Sequence, residues 1–142
     1  MRRHIAIAII SSLAAFSVFA GGRGEPDAVS TDLSIDFNTR YQEYSPERFD
    51  AAAEEFHRIY FFHASWCPTC RRAHGEFLEN LDRIPEDVVI FKLDYDTETQ
   101  LRREFAITYQ HTFVLVDESN QIIQKWTGGN LSTLITAVRD HT

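Results

Sequence analysis

Cys67 and Cys70 are the only cysteines in 142 residues, and they stand three apart. Residues at that spacing share one face of a helix, so two sulfurs placed there can close a small disulfide with little backbone movement. No third thiol remains for a structural bridge elsewhere, so their chemistry is with each other or with something they hold together. Pro68 follows Cys67 directly and suits the first position of a helix. Cys67 would then sit at the helix N-terminus, where unpaired amides and the positive end of the macrodipole favour a thiolate over a thiol. That makes Cys67 the expected acidic, attacking cysteine. A purely structural role is the weaker reading, because a bridge closing so short a loop constrains little chain.

The elements that must position this pair can be read on either side of it. The apolar run Ile59 to Phe62 reads as a strand, followed by a short turn and the helix that carries the cysteines. Phe77, Leu78 and Leu81 are expected to form that helix's buried face, and Arg83 to Asp87 ends it. Upstream, Leu33, Ile35 and Phe37 alternate like an edge strand, and Tyr41 to Tyr44 is a second short candidate. Ser45-Pro46 signals a helix start, with Phe49, Ala52, Ala53 and Phe56 at helical spacing up to His57. Downstream come a strand over Val88 to Leu93, a turn at Asp94 to Thr97, and a short helix with Leu101 and Phe105 four apart. Thr112 to Val116 and Gln121 to Trp126 form an expected hairpin about Asp117 to Asn120. After Gly128-Gly129, Leu131, Leu134, Ile135 and Val138 share the face of a last helix. The resulting order, with strands and helices alternating and one hairpin near the end, predicts an α/β fold with a central mixed sheet flanked by helices.

Composition bounds the setting. The chain is 44% hydrophobic and 13% aromatic, enough for one compact domain. Its formal charge of -7 argues against nucleic acid and against anionic membrane surfaces. Residues 1–20 open with Arg2-Arg3-His4, run apolar from Ile5 to Ala20, and end Val18-Phe19-Ala20 before Gly21, the pattern of a secretory signal cut after Ala20. The stretch is shorter than the roughly 20 residues a membrane-spanning helix needs, so no stable insertion is expected after cleavage. Residues 21–40 then read as a flexible lead-in and 41–142 as the domain. The expected location is periplasmic or secreted, an oxidising compartment in which a lone CxxC pair points to thiol exchange.

Across residues 41–142 the chain resembles the thioredoxin superfamily. The residues that carry the likeness are Phe61-Phe62-His63-Ala64-Ser65-Trp66-Cys67-Pro68-Thr69-Cys70, Phe91 to Asp96, Phe105 to Thr112, and Gly128-Gly129. The resemblance implies a thioredoxin-like fold and a thiol-disulfide oxidoreductase acting on protein disulfides or dithiols. It further implies a separate redox partner that recharges the pair, no cofactor, and a monomer. Cys67 would attack a substrate disulfide and Cys70 would resolve the mixed disulfide. Trp66, Pro68 and Thr69 would line one side of the substrate groove, with Tyr109, Gln110, His111 and Thr112 forming the facing loop and Gly128 and Gly129 beyond it. A reducing role is expected by analogy, because Pro68-Thr69 lacks the histidine found between the cysteines of strong oxidants in this superfamily. Cys-Pro-Thr-Cys also resembles the periplasmic reductases of cytochrome c maturation, which usually carry an extra segment that this chain lacks.

Two positions depart from the family pattern. His111 stands where a cis-proline usually precedes the threonine, and a trans Gln110–His111 bond is expected because a non-proline cis bond costs about 2.5 to 4 kcal/mol. Phe61 replaces the buried aspartate that helps proton transfer, while the neighbouring lysine is kept as Lys92. If His111 faces the cysteines, two thiolates and an imidazole converge, and binding of copper(I) or zinc becomes the alternative to a metal-free redox enzyme. His63 is read as a packed polar residue, and His57, His74 and His141 as structural or solvent-facing.

Overall fold

The computed structural model describes residues 39–139 and 141. The expected leader, nearly all of the lead-in and the expected strand through Leu33, Ile35 and Phe37 lie outside the described residues. Within them the order is β1 (Tyr41–Glu43), α1 (Pro46–Ala51), β2 (His57–His63), α2 (Pro68–Glu79), β3 (Val88–Asp94), α3 (Thr99–Glu104), β4 (Thr112–Val116), β5 (Ile122–Thr127) and α4 (Leu131–Arg139), with a 3-10 turn at Leu81–Arg83.

The five strands form one mixed sheet in the order β1-β3-β2-β4-β5. β3 pairs parallel with β1 and β2, whereas β4 pairs antiparallel with β2 and β5. β2 and β4 lie in the middle and are buried almost throughout, which is why both read as unbroken apolar runs. β5, at the edge, is mostly exposed and carries Gln124 and Lys125, which blunts it against pairing with another chain. Side chains of β2 alternate between the two faces. On one face Tyr60 stacks on Phe49 of α1 at 4.1 Å, and Phe105 just past α3 packs beside it. On the other, Phe61 stacks on Phe113 at 4.5 Å and both meet Phe77 of α2 edge-on. Each such buried ring contributes roughly 1.5 to 3 kcal/mol from its apolar surface alone. This second aromatic layer is the floor on which α2 and its cysteines rest.

Two expectations shift, the end of α1 and the burial of Leu78. α1 ends at Ala51, not at His57: Ala52 caps it through its amide to the Arg48 carbonyl, and His57 is already paired with Val88 as the first residue of β2. Leu78 is 51% exposed, and α2 buries Cys70, Ala73 and Phe77, the i, i+3, i+7 stripe. Trp126 is only half-buried, stacked on Phe113 at the margin of the core.

Candidate active site

β2 delivers the chain to the site at His63, and a turn through Ala64, Ser65 and Trp66 brings it to Cys67, the N-cap of α2. Pro68 at the first helical position has no amide to satisfy and a φ already suited to the helix. The sulfur of Cys67 occupies the place of a capping oxygen: it accepts from the Cys70 amide at 3.3 Å and lies 3.2 Å from the Thr69 hydroxyl. Both cysteines are reduced; Cys67 is 4% exposed and Cys70 fully buried one helical turn beneath it. The pair therefore presents one sulfur at the rim and keeps the other behind it.

The electrostatics differ for the two. Burial pushes the Cys67 thiol up, but hydrogen bonds from the Cys70 thiol, the Thr69 hydroxyl and the two residues' amides outweigh it, bringing the pKa down to about 7. Cys70 is pushed up to about 12, chiefly by burial and then by the adjacent Cys67 sulfur, against the lowering effect of backbone amides. One cysteine is thus a partial thiolate at neutral pH and the other a thiol.

The loop from Thr108 to Thr112 faces them. Its shape comes from backbone bonds: the His111 amide donates to the Phe62 carbonyl at 2.8 Å, and the Gly128 amide donates to the His111 carbonyl at 2.7 Å. Thr112 donates its hydroxyl to the Tyr109 carbonyl at 2.8 Å, and Tyr95 donates to the Thr108 carbonyl at 3.0 Å. No described peptide bond is cis, so Gln110–His111 is trans, and the turn is made instead by a left-handed His111 with φ 57°. His111 is 7% exposed. Its Nδ1 lies 2.9 Å from the Thr69 hydroxyl, which in turn touches Cys67, so the imidazole is tied to the attacking sulfur through one intermediate group. Burial pushes His111 below the ordinary histidine value, against a backbone interaction with Gly129 that raises it.

A groove beside the cysteines is lined by Thr69, Arg72, Glu76, His111, Gly128 and Gly129. Both glycines take positive φ, 79° and 102°, and a Cβ on Gly129 would fall 2.7 Å from the Thr133 side chain, so the chain can turn here only without one. Trp66 and Tyr109 stand exposed at 56% and 67%. Gln110 is half-buried beside His111 and Pro68 is exposed. Of the expected groove residues, Trp66 lies in the turn before Cys67, Pro68 and Thr69 at the start of α2, Tyr109 to Thr112 at the loop leading into β4, and Gly128 just after β5. Thr112 is turned inward, bonded to Tyr109 and to the Thr127 hydroxyl, and its side chain shapes the loop.

Three features have no counterpart in the sequence reading. Asp96 accepts from the Trp66 indole at 2.8 Å and tethers the exposed ring to the turn after β3, its place in a turn-forming run being the only signal in the sequence. Arg71 donates to the Ser65 carbonyl at 2.9 Å and so braces the turn before Cys67. Lys92, which lacks the family's aspartate, pairs with Glu43 across β1 and β3. Phe61 itself is fully buried, its ring 5.8 Å from that of His111. His63 is buried next to His74, and His74 bonds the Tyr41 hydroxyl at 2.7 Å. A second concavity, bounded by Phe56, Asp87 and Glu118, contains neither cysteine.

The family model for thioredoxin matches residues 41–140. The chain is similar to thioredoxin H4 of Arabidopsis thaliana, 30% identical over 81 residues, which are 57% of this chain and 67% of that protein. Thioredoxin H3 of the same plant is 31% identical over 96 residues, 67% of this chain and 80% of the relative. Among solved structures, Trxlp from Edwardsiella tarda EIB202 superposes with a TM-score of 0.57 at 28% identity, covering 68% of this chain and 96% of that one.

Proposed function

The chain belongs to the thioredoxin family and is a thiol-disulfide oxidoreductase, and from that premise we propose that it reduces protein disulfides outside the cytoplasm through a Cys67/Cys70 couple. The observation that carries the proposal is the division of labour at the head of α2: a stabilised sulfur at the rim and a protonated one buried behind it. Cys67 attacks a substrate disulfide, one substrate sulfur leaves as a thiolate, and a mixed disulfide forms. Cys70 then gives up its proton and attacks Cys67, releasing the second substrate sulfur. Two electrons pass to the substrate and the pair is left oxidised.

Trp66, next to Cys67, and Tyr109, on the loop that carries His111, offer exposed aromatic surface to a protein partner. Pro68, Thr69, Gln110, His111 and Gly128 line the path an extended substrate segment would take between them, on a loop held in shape by Thr112. A reductase or reduced carrier must return two electrons to the pair after each turnover. The acting form is a monomer, released from its leader at Ala20 into the periplasm or the medium; no helix among the described residues is long and apolar enough to cross a membrane. The reading as a cytochrome c maturation reductase gains nothing from the fold, since β2 reaches α2 and β3 reaches α3 through four residues each, without an inserted segment.

The test uses protein recovered from the periplasmic fraction of an expressing bacterium and equilibrated with glutathione buffers under metal-free conditions. The expected chain begins at Gly21 and has a potential toward the thioredoxin end of the scale, about -270 mV. A potential near the strong-oxidant end, about -120 mV, overturns the reducing direction, and a chain retained in the cytoplasm overturns the location.

A further inference from the structure

One buried group is left over from this chemistry. The Nε2 atom of His111 is inaccessible to solvent and makes no hydrogen bond of good geometry, with the Gly129 backbone as a further polar neighbour of the ring besides Thr69 on Nδ1. An orphaned polar atom of this kind costs about 1 to 3 kcal/mol, and a redox couple of two sulfurs does not call for it. The same ring belongs to a convergent set: the two sulfurs and a ring nitrogen of His111 all lie within 4.8 Å of one another.

We propose that Cys67, Cys70 and His111 form a three-coordinate thiolate-imidazole site for a soft monovalent cation, copper(I), taken up by the reduced protein only. The inference goes beyond the redox reading: it needs the two thiols reduced but not their turnover.

Donor chemistry selects the ion. Thiolates favour soft cations, and imidazole is an acceptable third ligand for the same metals. With metal-sulfur bonds of about 2.3 Å and metal-nitrogen bonds of about 2.0 Å, trigonal ligand atoms stand about 3.7 to 4.0 Å apart. The observed set must therefore close by about 1 Å or less, within the reach of side-chain rotation. No fourth histidine, cysteine or carboxylate joins the cluster among the described residues. Copper(I) is content with three ligands, whereas zinc needs four and would have to recruit one from the groove. The complex carries one net negative charge, two thiolates against one cation, and it sits on the N-terminus of α2, whose amides already point at Cys67. On its buried side the His111 ring meets only aromatic neighbours, Phe61 and Phe113.

Binding exchanges thiol protons for the ion and changes no oxidation state. A bound ion and the Cys67–Cys70 disulfide exclude each other, because each uses both sulfurs.

The test is an anaerobic titration of the reduced full chain with copper(I) in competition with bicinchoninate, followed by X-ray absorption of the loaded protein. One equivalent per chain is expected, none in the disulfide form, with two sulfur neighbours and one nitrogen neighbour at the metal. His111→Asn keeps a residue that tolerates positive φ but removes the imidazole. It is expected to weaken binding at least about tenfold and to lose the nitrogen neighbour. Sulfur-only coordination in the wild-type protein, an affinity unchanged in His111→Asn, copper lost entirely to bicinchoninate, or zinc displacing copper(I) would each overturn the assignment. Failure here leaves the glutathione potential of metal-free protein untouched, so the two readings fall separately.

Discussion

Cys67→Ser is expected to lower turnover of insulin disulfides by at least about a thousandfold, whereas Cys70→Ser should halt the reaction after a single exchange. The two variants differ because the site gives the sulfurs unlike tasks. A serine hydroxyl at position 67 would keep the Cys70 amide and the Thr69 hydroxyl as neighbours, but it is not ionised near neutral pH and cannot displace a sulfur. In Cys70→Ser the attacking thiolate retains its N-cap position and can still open a substrate disulfide. Nothing then stands behind it to complete the exchange, so one equivalent of a covalent adduct accumulates in the absence of added thiol. Mass spectrometry of the unreduced mixture should find that adduct on Cys67 in Cys70→Ser and no adduct in Cys67→Ser. An adduct that survives in Cys67→Ser would reverse the assignment of roles.

The second large effect is on stability. His111→Pro is expected to lower the folding free energy by about 3 kcal/mol or more, a fall in midpoint of more than about 10 °C for a domain of this size. Two constraints at that residue oppose a proline. The ring fixes φ near -65°, whereas His111 sits at 57°. Proline also has no amide to give the Phe62 carbonyl, leaving a buried acceptor unsatisfied at a cost of about 1 to 3 kcal/mol. His111→Gly separates the backbone from the ring, since glycine keeps both the left-handed φ and the amide, and it should fold with much less loss. Urea unfolding of the three proteins measures this. Proline is what the family pattern carries at this position, so an unchanged urea midpoint for His111→Pro would mean that the loop can return to the family's form and is not held as described.

The strands and helices were legible in the sequence because their apolar runs are unambiguous: β2 and β4 are buried on both faces, and α4 shows a clean stripe through Leu131, Leu134 and Val138. The end of α1 was not, because Ala52, Ala53 and Phe56 keep helical spacing through a segment that forms only turns before β2 begins. Leu78 misled in the same way, since hydrophobicity alone does not say which side of a helix meets the sheet. At the site, Cys67 and Cys70 could be placed from spacing and from Pro68. The tie from His111 through Thr69 to Cys67 could not, because it spans 42 residues and depends on one residue's left-handed backbone. The link between Trp66 and Asp96, 30 residues apart, and the pairing of Lys92 with Glu43 are likewise products of the sheet's strand order, which local pattern does not encode.

Disulfide reduction here depends on Cys67 being the stabilised thiolate, and the rate of iodoacetamide modification against pH, with mass spectrometry to locate the label, reads that directly. The reduced protein should be labelled on Cys67 alone, with a rate that rises through a midpoint near pH 7, while Cys70 stays unmodified up to the alkaline limit of the experiment. A midpoint at the ordinary thiol value of about 8.5, or label on Cys70 in the folded protein, would contradict it.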